Sequence, residues 1–389
     1  MTPGVSSAGR RFFRTAPTAQ RIGLFGDRAS ELVASGLEAL ESVRSDWNRL
    51  ALLGGSPFLT YEWLSSWWQA LGDGELVSVL LRSDDGSLRA GACCRLAPDG
   101  ELTAPTDPAY GYEWDVVAAD DVARRDVWDT IARLDVRRIR LTPLLDTGAD
   151  VAQQLERGGL RVVRRVAQAT PKLALPDTWD ELLGSVSKKL RSQWRTSSRA
   201  LDREGGLVLR TTRSEVELDH DLDVFLKLEA SGWKGRAGTA LLCDPHGEAL
   251  FRMFAVGAAR AGWLRLSILE SSGVPVAAVY GCVFGERAFR LKSAFNEEYA
   301  DRSPGLVLVG EELRRSIDEG LRVYEFLGLP AEYKLRWGSS TRDLITLRGY
   351  RGPLALPAYA YRAKVRPLLG KARRLAAQRL ERAQGARRR

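Results

Sequence analysis

The chain has 389 residues, 44% hydrophobic and 28% charged, a balance that suits a globular protein and excludes a disordered one. Its 58 basic and 49 acidic residues give a formal charge of +9, yet residues 362–389 hold eleven of those bases and a single acid, Glu381. The tail is therefore +10 and the rest of the chain, with 47 bases and 48 acids, is −1, which excludes a basic body built to wrap nucleic acid.

Cys93, Cys94, Cys243 and Cys282 show no CxxC spacing and read as reduced thiols. With His220 and His246 as the only histidines, no zinc-ligand spacing exists and no serine-histidine triad is apparent, so no metal is expected. Arg10, Arg11 and Phe13 precede no apolar stretch of the kind an export signal needs, and no run long enough to span a bilayer occurs. A cytoplasmic protein is expected, with residues 1–28 a loose extension.

In chain order, Ser30 is expected to cap a helix over 30–53, broken by Gly54, Gly55, Ser56 and Pro57. Thr60 then caps a tryptophan-dense helix, YEWLSSWWQAL. Strands are expected at 76–81 and 88–96, and an ordered aromatic loop at 107–115. A helix (125–134), strand (138–144), helix (150–157) and strand (160–166) complete a mixed α/β half.

The second half starts with a basic amphipathic helix over 187–203, with Arg191, Arg195, Arg199 and Arg203 at four-residue spacing and Leu190, Trp194 and Leu201 on another face. A strand (207–212), a helix opened by Ser214 and Glu217, and a helix over 247–261 follow. Strands are expected at 263–270, 275–284 and 288–295, the last alternating Phe289, Leu291, Ser293 and Phe295 against Arg290 and Lys292. A helix from about Gly305 to Gly320 buries Leu306, Val309, Leu313 and Ile317; strands at 322–327 and 344–350 end the unit.

The resulting order, β-α-α-β-β-β-α-β with a further strand, resembles the GNAT acyltransferase fold. The segment from Tyr299 to Val307 falls where that superfamily carries its pyrophosphate loop, Gln/Arg-x-x-Gly-x-Gly/Ala; Arg302 and Gly305 match it and Val307 departs from the final small residue. Unpaired amides at a helix start, the positive end of its dipole and a glycine that admits close approach suit the pyrophosphate of a coenzyme A thioester. More specifically, Pro57-Phe58-Leu59-Thr60-Tyr61-Glu62-Trp63 with Trp67-Trp68, Leu228-Glu229-Ala230-Ser231-Gly232-Trp233-Lys234-Gly235, and Tyr324-Glu325-Phe326-Leu327-Gly328 with Glu332-Tyr333-Lys334 resemble CelD/BcsL-type proteins. These are tandem GNAT-like acetyltransferases associated with cellulose biosynthesis and distant relatives of the FemABX transferases. At Glu229 this sequence departs from the histidine frequent in that family.

The resemblance implies a mixed-sheet α/β fold of two tandem GNAT-like acyltransferase domains, at 29–168 and 169–352, with a basic tail over 353–389. Arg302, Ser303, Gly305 and Leu306 are expected to hold acetyl-CoA or another acyl-CoA. Tyr333 would protonate the leaving thiolate, and Lys334 would bind a phosphate or carboxylate. Glu229 would be the general base; Trp233, Lys234 and Arg236 would line the pocket for a small-molecule or glycan acceptor. Arg195 and its helix read either as a rail for an anionic acceptor or tRNA phosphate, or as a solvated face over an apolar stripe. Tyr110, Tyr112 and Trp114 read as a sugar-stacking loop or as packing between halves. The basic tail reads as a peripheral membrane contact or a solubilising extension. Three functions stay open: an acyl-CoA-dependent transferase, an aminoacyl-tRNA-dependent transferase, and a non-catalytic scaffold of exopolysaccharide assembly.

Overall fold

The computed structural model describes residues 31–361 except 108, 111, 146–150, 203–205, 213–214 and 353–354. The expected N-terminal extension, the Ser214 cap and the basic tail beyond 361 lie outside these residues.

In the first half the order is β1 (Glu31–Ser35), α1 (Leu37–Glu41), α2 (Arg44–Gly54), α3 (Tyr61–Leu71), β2 (Glu75–Arg82), β3 (Leu88–Leu96), β4 (Glu101–Thr103), β5 (Val117–Ala118), α4 (Asp121–Arg133), β6 (Arg138–Leu145), α5 (Val151–Arg157) and β7 (Arg161–Ala174). The second half runs α6 (Trp179–Ser185), α7 (Lys188–Asp202), β8 (Leu207–Thr211), α8 (Glu215–Ser231), α9 (Trp233–Arg236), α10 (Pro245–Arg260), β9 (Leu264–Ser271), β10 (Val274–Phe284), β11 (Arg287–Phe295), α11 (Pro304–Asp318), β12 (Val323–Glu325), α12 (Glu332–Leu335), β13 (Ser340–Tyr350) and α13 (Ala355–Ala360).

One mixed sheet runs through both halves in the order β1-β2-β3-β4-β6-β13-β7-β12-β11-β10-β9-β8, with β5 on β3. Each half holds one parallel pair joined through a helix: β4 with β6 around α4, and β11 with β12 around α11. The C-terminal strand β13 inserts between β6 and β7 and pairs antiparallel with both, so the last strand stitches the halves together.

The single helix expected over 30–53 is corrected. Glu31–Ser35 is an edge strand, paired antiparallel with β2 from Glu31↔Leu81 to Ser35↔Val77. Gly36, at φ 87°, turns the chain into α1, a conformation only glycine adopts without strain. Sheet pairing overrides the helical preference of this stretch.

Capping residues set the helix starts. Thr60 Oγ1 accepts from the Trp63 amide at 3.2 Å, and the side chains of Asp120, Thr178 and Asp244 do the same for α4, α6 and α10. The tryptophan-dense α3 packs on α10, with Trp63 edge-on to Phe254 at 4.9 Å between centroids. The main core therefore joins the halves: Trp47, Phe58 and Trp63 lie with Phe225, Phe251 and Tyr280. On the opposite face, Leu190 and Trp194 of α7 pack with Val309 and Leu313 of α11. Gly310 makes that approach possible, because a Cβ there would stand 2.0 Å from Trp194 Nε1.

A candidate active site where two parallel strands part

β11 and β12 run parallel from Arg287↔Val323 to Phe289↔Glu325 and then separate. β12 stops at Glu325, and the chain leaves through Leu327 and Gly328, both left-handed at φ 52° and 61°. Beyond Phe289 the β11 edge faces no strand among the described residues. Two of its carbonyls are met by side chains instead: Leu291 O accepts from the Tyr112 hydroxyl at 3.0 Å, and Ser293 O from Lys234 Nζ at 2.9 Å. A cavity of about 580 Å³ occupies this fork. It is walled by β11, the start of α11, the end of α8 with α9, and the β12–α12 loop.

The alternation expected for β11 is corrected at Leu291. Tyr280 pairs with Lys292 and Gly281 with Arg290, so Leu291 is the extra residue of a β-bulge. Phe289 and Leu291 join the main core, and beyond the bulge Ala294, not Ser293, continues it. Lys292 turns to the same side, its ammonium 5.0 Å from the Tyr110 ring centroid and 5.5 Å from that of Phe251. Lys292 has no hydrogen bond or ion pair among the described residues, and burial lowers its pKa.

Of the residues expected to hold the donor, Ser303, Gly305 and Leu306 line the cavity. Arg302 does not; its guanidinium lies 5.4 Å from the Tyr299 ring centroid. Ser303 caps α11 at φ 49°, and the Leu306 and Val307 amides both turn back to its carbonyl. A Cβ on Gly305 would meet only Phe295 Cδ1, at 3.7 Å, so packing alone does not demand glycine there. Val307 fills space between α11 and the sheet beside Leu269 and Val279, which accounts for its departure from a small residue.

Glu229 is buried, with 2% of its surface exposed. Its Oε1 lies 2.7 Å from Lys234 Nζ and its Oε2 accepts from the Leu241 amide at 2.9 Å. Both oxygens of the residue expected as general base are therefore engaged, one by an ammonium and one by a backbone amide. Trp233 is half-exposed at the rim, its amide held by Glu297 at 2.8 Å. Arg236 ion-pairs with Glu297 at 2.9 Å and does not line the cavity; Arg195 is solvent-exposed on α7, also outside it.

Tyr333 and Lys334 close the far wall. Tyr333 is half-exposed and Lys334 is 8% exposed. Lys334 Nζ donates to the Leu327 carbonyl and, at 2.9 Å, to that of Leu329, pinning the left-handed turn at the end of β12. Burial and the neighbouring Arg290 guanidinium push its pKa down to about 8. Arg290 and Lys292 are lining residues that sequence reading did not assign to a site, and Tyr112 of the aromatic loop lines it as well. Tyr112 stacks on Phe58 at 4.7 Å, so the 107–115 loop serves to pack the halves, and Tyr110 does likewise through its hydroxyl, 2.7 Å from Asp244.

The matching opening in the first half is filled by the chain itself. Beyond β4 and β6, Trp114 bridges to Leu144, donating from its amide to Pro143 O at 2.7 Å and accepting from the Leu145 amide at 3.1 Å. Its ring is buried against Trp128, with Nε1 donating to Cys93 O at 2.9 Å.

Residues 188–335 match the family model described as an acetyltransferase (GNAT) domain. The match falls within the second half of a mixed α/β fold. Among solved structures, the chain is similar to FemX, with a TM-score of 0.58 and 13% identity over 82% of this chain and 98% of that one. A conserved protein of unknown function from Bacteroides thetaiotaomicron gives 0.51 and 12%, covering 82% and 100% of the two chains. The C-terminal domain of a putative lysylphosphatidylglycerol synthetase from Agrobacterium fabrum gives 0.50 and 13%, covering 82% and 95%. These likenesses concern the fold. A search of curated proteins finds no match to the chain. No helix of the described residues is long and apolar enough to cross a membrane.

Proposed function

We propose that the chain transfers an acyl group from a coenzyme A thioester to an amine or hydroxyl, both substrates meeting in the cavity at the β11–β12 fork. One observation carries this: a single cavity joins the start of α11, the unpaired edge of β11 and the Tyr333–Lys334 wall. The start of α11 offers the Gly305 amide and a positive dipole end for pyrophosphate, with Gly305 allowing close approach. The open β11 edge offers main-chain groups to a pantetheine arm lying beside it as an extra strand would.

In the proposed step the acceptor nitrogen or oxygen attacks the thioester carbonyl, the carbon–sulfur bond breaks, and the thiolate takes a proton from the Tyr333 hydroxyl. Lys292, lowered in pKa and without a hydrogen-bonded partner among the described residues, takes the acceptor's proton. Glu229 acts as a positioning residue that fixes Lys234 against the Ser293 carbonyl. The resemblance to CelD/BcsL-type proteins supports a sugar, a polysaccharide precursor or a small amine as acceptor. The test is coenzyme A release from acetyl-CoA with a panel of amino sugars and amines; Lys292→Met should lower the rate about 100-fold or more, and unchanged turnover would remove Lys292 from the mechanism.

A second reading, an aminoacyl-tRNA donor, rests on the exposed basic face of α7. Arg195 and Arg199 lie there, and Gln193 of the same helix accepts from Arg336 of the cavity rim at 2.7 Å. Activity lost on RNase treatment of the assay would favour it.

A further inference from the structure

Arg290 leaves β11 on the side opposite Lys292 and is 7% exposed. It borders the cavity, yet it forms no ion pair and no hydrogen bond among the described residues, and its Nη1 is buried without a partner. Its guanidinium sits 5.6 Å from the Tyr333 ring centroid, on the same ring that Lys334 Nζ approaches at 5.7 Å. Glu312 of α11 is also buried but makes no ion pair with Arg290. A buried guanidinium with unmet donors opposes folding unless a ligand supplies the acceptor. The rest of the lining points the same way: five basic side chains face two acidic ones, and those two, Glu229 and Glu297, are already held by Lys234 and Arg236.

We infer that Arg290 and Lys334 form an anion subsite in the inner wall of the cavity, which receives a carboxylate carried by one of the two substrates. The guanidinium suits a carboxylate through paired N–H donors, with the Tyr333 ring holding its plane. The Lys334 ammonium, two of whose protons are committed to backbone carbonyls, has a third to give. The carboxylate can sit on the acyl group, as in a dicarboxylic thioester, or on the acceptor. In either case the subsite repels an α-ammonium, so an aminoacyl group fits this cavity poorly. The inference rests on the transferase reading for its occupant but not for its cationic character.

The experiment is calorimetric titration of the full chain, wild type, Arg290→Met and Arg290→Lys, with free coenzyme A, butyryl-CoA, succinyl-CoA and, separately, succinate. Melting curves and free coenzyme A affinity report whether each variant keeps its fold and donor site. Succinyl-CoA bound about tenfold or more tighter than butyryl-CoA by wild type, with the preference lost in Arg290→Met and partly kept in Arg290→Lys, places the carboxylate on the acyl group. No donor preference, but Arg290-dependent binding of succinate, places it on the acceptor. Equal binding of both thioesters together with no Arg290-dependent succinate binding overturns the subsite. Failure of free coenzyme A to bind wild type contradicts the donor reading instead, and the succinate titration still tests Arg290.

Discussion

The Tyr112 hydroxyl donates to the carbonyl of Leu291 at 3.0 Å, so a loop of the first half holds the bulge that shapes the cavity of the second. The same ring stacks on Phe58, and burial raises its pKa well above the ordinary phenol value, keeping it a donor. The first half thus contributes to the site by bracing β11, while its own corresponding opening is plugged by Trp114.

Tyr112→Phe keeps the stack and removes the donor. It should cost about 1 kcal/mol of stability and weaken substrate binding through the released bulge. Tyr112→Ala also opens a void between the halves and should cost about 3–5 kcal/mol. Denaturant melts of the two variants measure the difference; equal losses would mean that the hydroxyl and not the ring carries the contact.

Glu229 and Lys234 form one unit, a buried carboxylate and an ammonium 2.7 Å apart. Glu229→Gln and Lys234→Met should each cost roughly 1–3 kcal/mol by leaving the partner unmet. The double variant should lose less than the sum, with a coupling of about 0.5–3 kcal/mol. Additive losses in a double-mutant cycle would show that the two side chains act independently.

Lys334 predicts a pH signature. Its pKa is about 8 in the folded chain against 10.5 ordinarily, so burial of its charge opposes folding below about pH 8. Between those values the unfolded chain binds the extra proton, and stability contributed by this residue rises with pH. Wild type should therefore gain roughly 2 kcal/mol relative to Lys334→Met between about pH 8 and 9.5. A flat difference across that window would mean that the ammonium is well solvated.

Much of this was legible in the sequence because periodicity and caps act locally. The apolar stripe of α7, Leu190 and Trp194, is buried while Arg195 and Arg199 stay exposed, as the spacing indicates. Ser303, Gly305, Leu306, Tyr333 and Lys334 do converge on one cavity. The missed features depend on distant partners. Residues 31–35 form a strand only because β2 offers an edge. The bulge at Leu291 leaves no mark in an alternating sequence, so Arg290 and Lys292 read as one polar face when they point to opposite sides. The partners of Glu229, the Lys234 ammonium five residues on and the Leu241 amide, are likewise set by the fold and not by local pattern.

The central claim is that the α11 start and the β11–β12 fork bind an acyl-CoA. Calorimetry with acetyl-CoA tests it most directly, using wild type, Gly305→Val at the cavity wall and Arg195→Ala on the exposed face of α7. Because a Cβ at residue 305 meets the protein only at ordinary contact distance, Gly305→Val should fold with a melting point near that of wild type. The account predicts binding of about −8 kcal/mol, in the micromolar range, for wild type and Arg195→Ala, and its loss in Gly305→Val. No binding to wild type, or full binding to Gly305→Val, would contradict it.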